Sequence, residues 1–244
     1  MANERLRSAI AARGLTSARL AELVRVDPKT VDRWVATSRT PYRSTVAEVA
    51  RVLERDPGWL WPETVTSAES ELVQFYPHRA VVPRSLWSNL LGNARERIEV
   101  LCFAGLFFVE ENPGLAEVFV EKAAAGARIR ILLGDPDSAA VFARGEEEGI
   151  GDALAAKVRN VLVYLGPLAT VDGVGVQLHS TTLYSTIYRF DDDMLVNTHS
   201  YGSPAYMSPV LHLHRRPSSS LFGTYERSFE LVWHSARPYA GSSR

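Results

Sequence analysis

Two periodicities divide this chain of 244 residues. Up to about residue 62 the apolar positions recur at helical spacing; beyond Pro83, helical stretches alternate with short unbroken apolar runs of strand length. In "NERLRSAIAARG" a first helix is stopped by Gly14. Thr16 is the N-cap of a second, whose apolar face includes the i,i+4 pair Leu20 and Val24. Asp27 caps a third with Pro28 at its first position, where a missing N–H costs nothing. Only Arg25 and Val26 remain for the turn between them. Val31, Trp34 and Val35 make the inward face of the third helix, while Lys29, Thr30 and Arg33 point outward near its N-terminal end. "STVAEVARVLERD" predicts a fourth helix, with Thr45 and Glu48 at capping-box spacing and Val46, Val49, Ala50 and Leu53 as its buried stripe. The connection "TSRTPYRS" presents Arg39, Tyr42 and Arg43, residues suited to phosphate contacts.

The polar, proline-opened "PETVTSAES" reads as a linker, with a domain boundary near residue 66. After it, residues 83–95 predict a helix, "RIEVLCFAGLFF" a buried strand, "LAEVFVEKAAAG" a helix and "ARIRILLGDPDS" a strand running into a loop. This alternation predicts a parallel strand pair joined by a helical crossover. A helical segment over 138–158 is interrupted by "GEEEGIGD". "VLVYL", "GVGVQLHSTTLYSTIYRF", "MLVNTHSY" and "PVLHLHR" are strand-like, and "LFGTYERSFELVWHSA" is a closing helix. Asp191, Asp192 and Asp193 form a hairpin turn between two of these strands.

Charge follows the same division. Residues 1–62 hold 11 Lys and Arg against 7 Asp and Glu, a surplus of four positive charges, whereas the rest holds 16 against 21. A basic small segment ahead of an acidic larger one suggests that the first meets a polyanion. Hydrophobic residues at 46% and charged residues at 23% fit globular domains and exclude wholesale disorder. No run reaches the ~18 apolar residues of a membrane span, and the N-terminus lacks the apolar core of a signal peptide, so a cytoplasmic protein with no membrane partner is expected. The single cysteine, Cys102, lies in an apolar run and reads as a buried small hydrophobe.

The pattern LTxxxLAxxxxVxxxTVxRWxxxxRxP, completed by an apolar helix and "DPGWLWP", resembles the Cro/C1-type (XRE) helix-turn-helix of bacterial transcription regulators over residues 4–62. The resemblance implies an N-terminal all-α five-helix helix-turn-helix domain, residues 1–66, that binds double-stranded DNA as a dimer on two half-sites. Its expected DNA-binding residues are Thr16, Ser17, Lys29, Thr30, Arg33, Arg39, Tyr42 and Arg43. Asp27 and Pro28 depart from the serine and longer polar residue of many relatives, so base preference is not transferable.

From about residue 79 to 238 the chain is similar to the phospholipase D-like domain found behind helix-turn-helix modules in bacterial regulators. "IEVLCFAGLFF", "AAAGARIRILLGDPDS", "LHSTTLYSTIYRFDDDMLVNTHSYG" and "LFGTYERSFELVW" carry the likeness. It implies an α/β domain with a mixed central sheet over residues 67–244. Enzymes of that superfamily use H-x-K-x4-D: the histidine attacks phosphorus, the lysine neutralises phosphate charge and the aspartate orients the imidazole. Here His179 stands with Thr181 in the lysine position, i+2 on the same strand face, and Thr186 in the aspartate position. Asp191 is a candidate substitute orienter, and Lys157, the nearest lysine, lies on another element. The domain is therefore expected to be non-catalytic, the alternative being a DNA-targeted phosphodiesterase or nuclease using His179.

A polar face remains. Asn197, His199 and Tyr201 alternate and project to one side; beside His179 and Thr181 they would gather into a pocket for a small polar or phosphate-bearing effector, with Tyr184, Tyr188 and Arg189 at its rim. Imidazoles there would make binding pH-sensitive. His212 and His214 share a strand face, but nothing fixes the other ligands a zinc ion needs, and no metal or cofactor is expected. Single-lobe members of the family pair with their histidine strands near the dyad, which implies a homodimer that also spaces two recognition helices. The sequence thus reads as a DNA-binding transcription regulator with a dimerising, ligand-sensing C-terminal domain.

Overall fold

The computed structural model describes residues 2–37, 39–62, 70–217 and 220–240, without the Arg43 side chain. The chain divides into two compact units at Ser70/Glu71; the boundary expected near residue 66 lies outside the described residues.

Five helices build the first unit among the described residues: α1 (Glu4–Ala12), α2 (Ser17–Leu23), α3 (Pro28–Thr37), α4 (Arg43–Leu53) and α5 (Pro57–Leu60). Their starts follow local chemistry. Asn3 Oδ1 accepts from the Leu6 amide at 2.9 Å while its Nδ2 donates to the Leu60 carbonyl at 2.9 Å, so one side chain caps α1 and ties it to the end of α5. Thr16 Oγ1 accepts from Arg19 N at 3.2 Å, Asp27 Oδ1 from Lys29 N at 2.8 Å and Asp56 Oδ1 from Trp59 N at 3.0 Å. Leu6, Leu20, Val31, Val49, Leu53 and Leu60 meet in the core, and Trp34 packs edge-on to Trp61 with ring centroids 6.1 Å apart. The expected capping box does not form. Tyr42 is the N-cap of α4, so Thr45 and Glu48 lie inside the helix, and Glu48 pairs with Arg51 at 2.6 Å, one turn on.

The second unit carries one mixed sheet of eight strands among the described residues, in the order β1-β7-β6-β5-β2-β3-β4-β8. The strands are β1 (Leu72–Tyr76), β2 (Arg97–Cys102), β3 (Arg128–Gly134), β4 (Val174–His179), β5 (Ser185–Phe190), β6 (Asp193–Thr198), β7 (Val210–His214) and β8 (Arg237–Pro238). The helices are α6 (Arg84–Asn93), α7 (Leu106–Glu110), α8 (Leu115–Ala124), α9 (Ala139–Glu147), α10 (Ala153–Leu165) and α11 (Leu221–Ser235). β2, β3 and β4 are parallel, joined by helical crossovers as the alternating pattern predicts, and the other pairings are antiparallel. No helix among the described residues is long and apolar enough to cross a membrane.

The two faces of the sheet differ in chemistry. On one, strand register sets Glu99 of β2 beside Arg130 of β3 and Arg189 of β5, all buried. Arg130 bonds Glu99 and, from α11, Glu230; Arg189 bonds Glu99 at 3.2 Å and Glu226 of α11 at 2.8 Å. On the other face Tyr188 of β5 is fully buried, edge-on to Trp87 of α6 at 5.1 Å and surrounded by Phe107 and Phe108 of α7 at 5.6 and 5.3 Å.

Three expected elements are corrected. "VLVYL" is not a strand: it is the end of α10, whose buried Leu154, Val158, Val161, Leu162 and Leu165 keep a helical spacing that extends back from it. "RIEVLCFAGLFF" is not one strand either. β2 stops at Cys102, and Gly105, at φ +70° and with its missing Cβ facing Cys102 Sγ, turns the chain into α7. β4 ends at His179, so Thr181 is off the strand and the i+2 argument fails there. The Asp191 hairpin is present, with φ +53° at Asp191.

Candidate functional site

Each unit contributes one candidate surface. In the first, Val31 and Trp34 bury the inner side of α3, leaving Lys29 and Arg33 exposed and Thr30 half-buried on its outer side. Thr30 and Arg33 share a concave surface with Arg39 and Tyr42, and the Tyr42 ring is 89% exposed. Thr16 and Ser17 stand at the start of α2, Thr16 committing its oxygen to the cap. The expected contribution of the Arg43 side chain lies outside the described residues. Arg7, Arg13, Arg19 and Arg51 are ion-paired with Glu4, Glu54, Glu22 and Glu48. Lys29, Arg33 and Arg39 have no ion-pair partner among the described residues. They are open to an external anion, with the exposed Asp32 on the same helix offsetting part of their charge.

In the second unit most of the expected ligand residues do not converge. His179 is 1% exposed. Its Nε2 faces the Cys102 carbonyl oxygen at 3.2 Å and its Nδ1 accepts from the Thr181 amide at 3.3 Å, which fixes a neutral Nε2–H tautomer with both nitrogens engaged. Burial holds its pKa below the ordinary histidine value. Asn197 is equally buried, its amide donating to the Ser208 and Pro209 carbonyls at 3.1 and 3.0 Å. Arg189 belongs to the ion network on the opposite face. Tyr184 and Tyr201 are 84% and 88% exposed, and Thr181 lines no cavity with His199. The substitute role for Asp191 is also overturned: its carboxylate accepts from the amides of Arg95, Glu96 and Arg97 at 2.7–2.9 Å, ahead of and into β2.

What the fold assembles instead is a cavity of about 430 Å3 on the Tyr188 face, entered between α7, α10 and the 204–206 turn. Phe103, Leu106, Phe107, Ile150 and Leu154 give it apolar walls; Arg79, Lys157, Thr186, Tyr188 and His199 supply polar groups. Of the residues expected in the pocket and at its rim, His199 and Tyr188 line it. The His199 Nδ1 donates to the Leu183 carbonyl at 3.2 Å and its Nε2 accepts from the Thr186 hydroxyl at 3.0 Å. Burial first, then the Arg144 charge, lowers its pKa to about 4. The pH-sensitive binding expected of these imidazoles is therefore not available near neutrality: His199 presents a neutral ring. Arg79 stacks its guanidinium 3.8 Å over the Phe107 ring. The Tyr188 hydroxyl is buried and no hydrogen bond of ordinary geometry reaches it; Arg79 is the cation beside it, acting on its oxygen both through its charge and as a weak donor.

Sequence reasoning missed Arg79, which lies in a short 3-10 turn, and dismissed Lys157 because it lies on a separate element; α10 brings it to the cavity mouth. The other expected chemistry resolves into structure. Cys102 is buried and its thiol pKa is pushed up to about 12, as befits a packed hydrophobe. His212 hydrogen-bonds Asp193 at 2.8 Å and His214 Nδ1 lies 3.2 Å from its other oxygen, and no cluster of three metal-ligating side chains occurs among the described residues.

No family model matches the chain, and no curated protein does. Solved structures overlap it at low similarity. TrmBL2, an archaeal chromatin protein described as showing a novel mode of DNA binding, overlaps at TM-score 0.43 and 10% identity, over 87% of this chain and 71% of its own. Nuc from Salmonella typhimurium, a phospholipase D family member, overlaps at TM-score 0.37 and 14% identity, over 68% of this chain and 94% of its own. Phosphatidylserine synthase of Haemophilus influenzae overlaps at TM-score 0.45 and 14% identity, over 67% of this chain and 38% of its own. Likenesses this distant assign the chain to no family.

Proposed function

We propose that the chain is a sequence-specific DNA-binding transcription regulator. In this reading α2 and α3 form a helix-turn-helix, α3 enters the major groove, Lys29, Thr30 and Arg33 reach base edges, and Arg39 and Tyr42 hold the phosphate backbone. The observation that carries it is the group of exposed cations on and beside α3, Lys29, Arg33 and Arg39, with Arg33 and Arg39 on one concave surface with Thr30 and Tyr42.

The second unit acts as a non-catalytic, phospholipase D-like domain that dimerises and binds a small polar or phosphate-bearing ligand. Two observations support the non-catalytic part: threonines occupy the positions of the lysine and aspartate, and backbone groups occupy both nitrogens of His179. A nucleophilic imidazole needs a free lone pair facing the phosphorus, and the one lone pair of this tautomer is bonded to Thr181. A homodimer supplies two copies of α3 for a two-fold operator, and ligand regulates DNA affinity to the extent that it binds one dimer geometry better than another.

Sequencing the genomic fragments retained by the full chain, together with sedimentation of the same preparation, tests both halves. The reading expects fragments that share a pseudo-two-fold site and a dimeric protein. A folded monomer that enriches no fragment contradicts it.

A further inference from the structure

The polar groups of the 430 Å3 cavity are arranged unevenly, and the arrangement specifies a ligand. Volumes of this order are typical of small-molecule sites. Of the two carboxylates at its wall, Glu148 is paired at 2.8 Å with the buried Arg144, which also pairs with Glu147 at 3.0 Å, while Glu110 is exposed to solvent. Arg79 and Lys157 have no ion-pair partner among the described residues. Arg79 is half-buried and its charge acts on three groups at the cavity floor, Cys102, Tyr188 and His199. The Tyr188 hydroxyl at that floor is fully buried; Arg79 approaches its oxygen as a weak donor, but no acceptor among the described residues takes its proton, which a native interior tolerates only where something else completes it. Thr186 and His199 complete each other and have no donor to spare.

The floor therefore offers one guanidinium and one hydroxyl donor, and the walls offer apolar surface. From this geometry we infer that the cavity binds an amphiphilic oxyanion, its carboxylate or phosphate head held by Arg79 and the Tyr188 hydroxyl and its alkyl or aryl body lying along Leu106, Phe107, Ile150 and Leu154. Lys157 at the mouth adds attraction for negative charge. The assignment rests on the ligand-binding half of the function proposed above and gives that ligand a class and a site. The site excludes His179, which points its nitrogens into backbone elsewhere.

Calorimetric titration of the full chain with octanoate, octyl phosphate, octanol, octylamine and inorganic phosphate tests it. Octanoate or octyl phosphate binds, and which of the two binds tighter identifies the head group; octanol and octylamine bind at least about tenfold more weakly, and inorganic phosphate, lacking the apolar body, does likewise. Arg79→Met weakens the preferred anion by about tenfold or more, and Tyr188→Phe, which keeps the ring and the fold, by about threefold or more. His179→Ala leaves its affinity unchanged. Equal binding of octanol and octanoate, wild-type affinity in both Arg79→Met and Tyr188→Phe, or no binding of either anion overturns the inference. The titration contains no DNA, so a chain that binds the anion yet retains no genomic fragment defeats the regulator reading while leaving this site standing.

Discussion

The His179 ring points its Nε2 at the carbonyl oxygen of Cys102, 3.2 Å away across the sheet end where β2 and β4 finish. With Nδ1 accepting from Thr181 N, the residue that sequence similarity singles out as a nucleophile is instead a strut between two strand ends. His179→Ala should then leave a buried carbonyl and an amide unpaired and destabilise the unit by roughly 1–3 kcal/mol, read as a shift in urea midpoint. Hydrolysis of bis(p-nitrophenyl) phosphate should be absent from the wild type; turnover that disappears in the variant would show a catalyst.

A second prediction concerns acid. His199 has its pKa lowered to about 4 by burial, against an ordinary value near 6.5, so between these limits the unfolded chain takes up a proton that the folded chain refuses. Stability contributed by this site is complete above about pH 6.5 and falls as pH drops toward 4, by at most roughly 3 kcal/mol. His199→Gln should flatten that fall. Identical slopes of unfolding free energy against pH in the two proteins, from pH 7 to 4.5, would contradict the assignment.

A third concerns the ion network. Glu99 is 1% exposed and faces two arginines that are each 4% exposed. Removing it strands buried positive charge, so Glu99→Ala should cost about 3–5 kcal/mol, whereas Glu226→Ala, on the part-exposed α11 side, should cost much less. Equal losses in denaturant melts would mean that Glu99 is not the centre of the network.

In the first unit the starts of α2 and α3 were legible because Thr16 and Asp27 cap as their side chains dictate, whereas α4 starts at Tyr42 with no side-chain cap and the Thr45 signal misled. The strands β2 and β3 were legible from their apolar runs, although Glu99 and Arg130 interrupt them. "VLVYL" misled because five apolar residues fit either period, and only the buried positions upstream at Leu154 and Val158 decide for a helix. The β1 and β8 strands left no clear signal: β1 is a mostly exposed edge strand and β8 is two residues long. The candidate ligand site was legible only at His199 and Tyr188. A one-dimensional reading assumes that alternation continues past Thr198 and past His179, but both strands stop there, and the cavity is completed by Arg79 and Lys157 from elements far apart in the chain.

On the DNA side, Arg33 and Arg39 are expected to act differently. An arginine on α3 that bonds a base edge supplies about 1–3 kcal/mol of discrimination, roughly 5- to 150-fold, while a phosphate contact weakens all sequences alike and lowers the salt slope by about one. The most direct test measures fluorescence anisotropy of the full chain, wild type, Arg33→Ala and Arg39→Ala, on the enriched fragment and on a scrambled duplex over a range of salt. Arg33→Ala should lose the preference for the enriched fragment, and Arg39→Ala should keep it at lower affinity. Unchanged preference in Arg33→Ala, or a folded wild-type protein that binds neither duplex at low salt, would contradict this expectation.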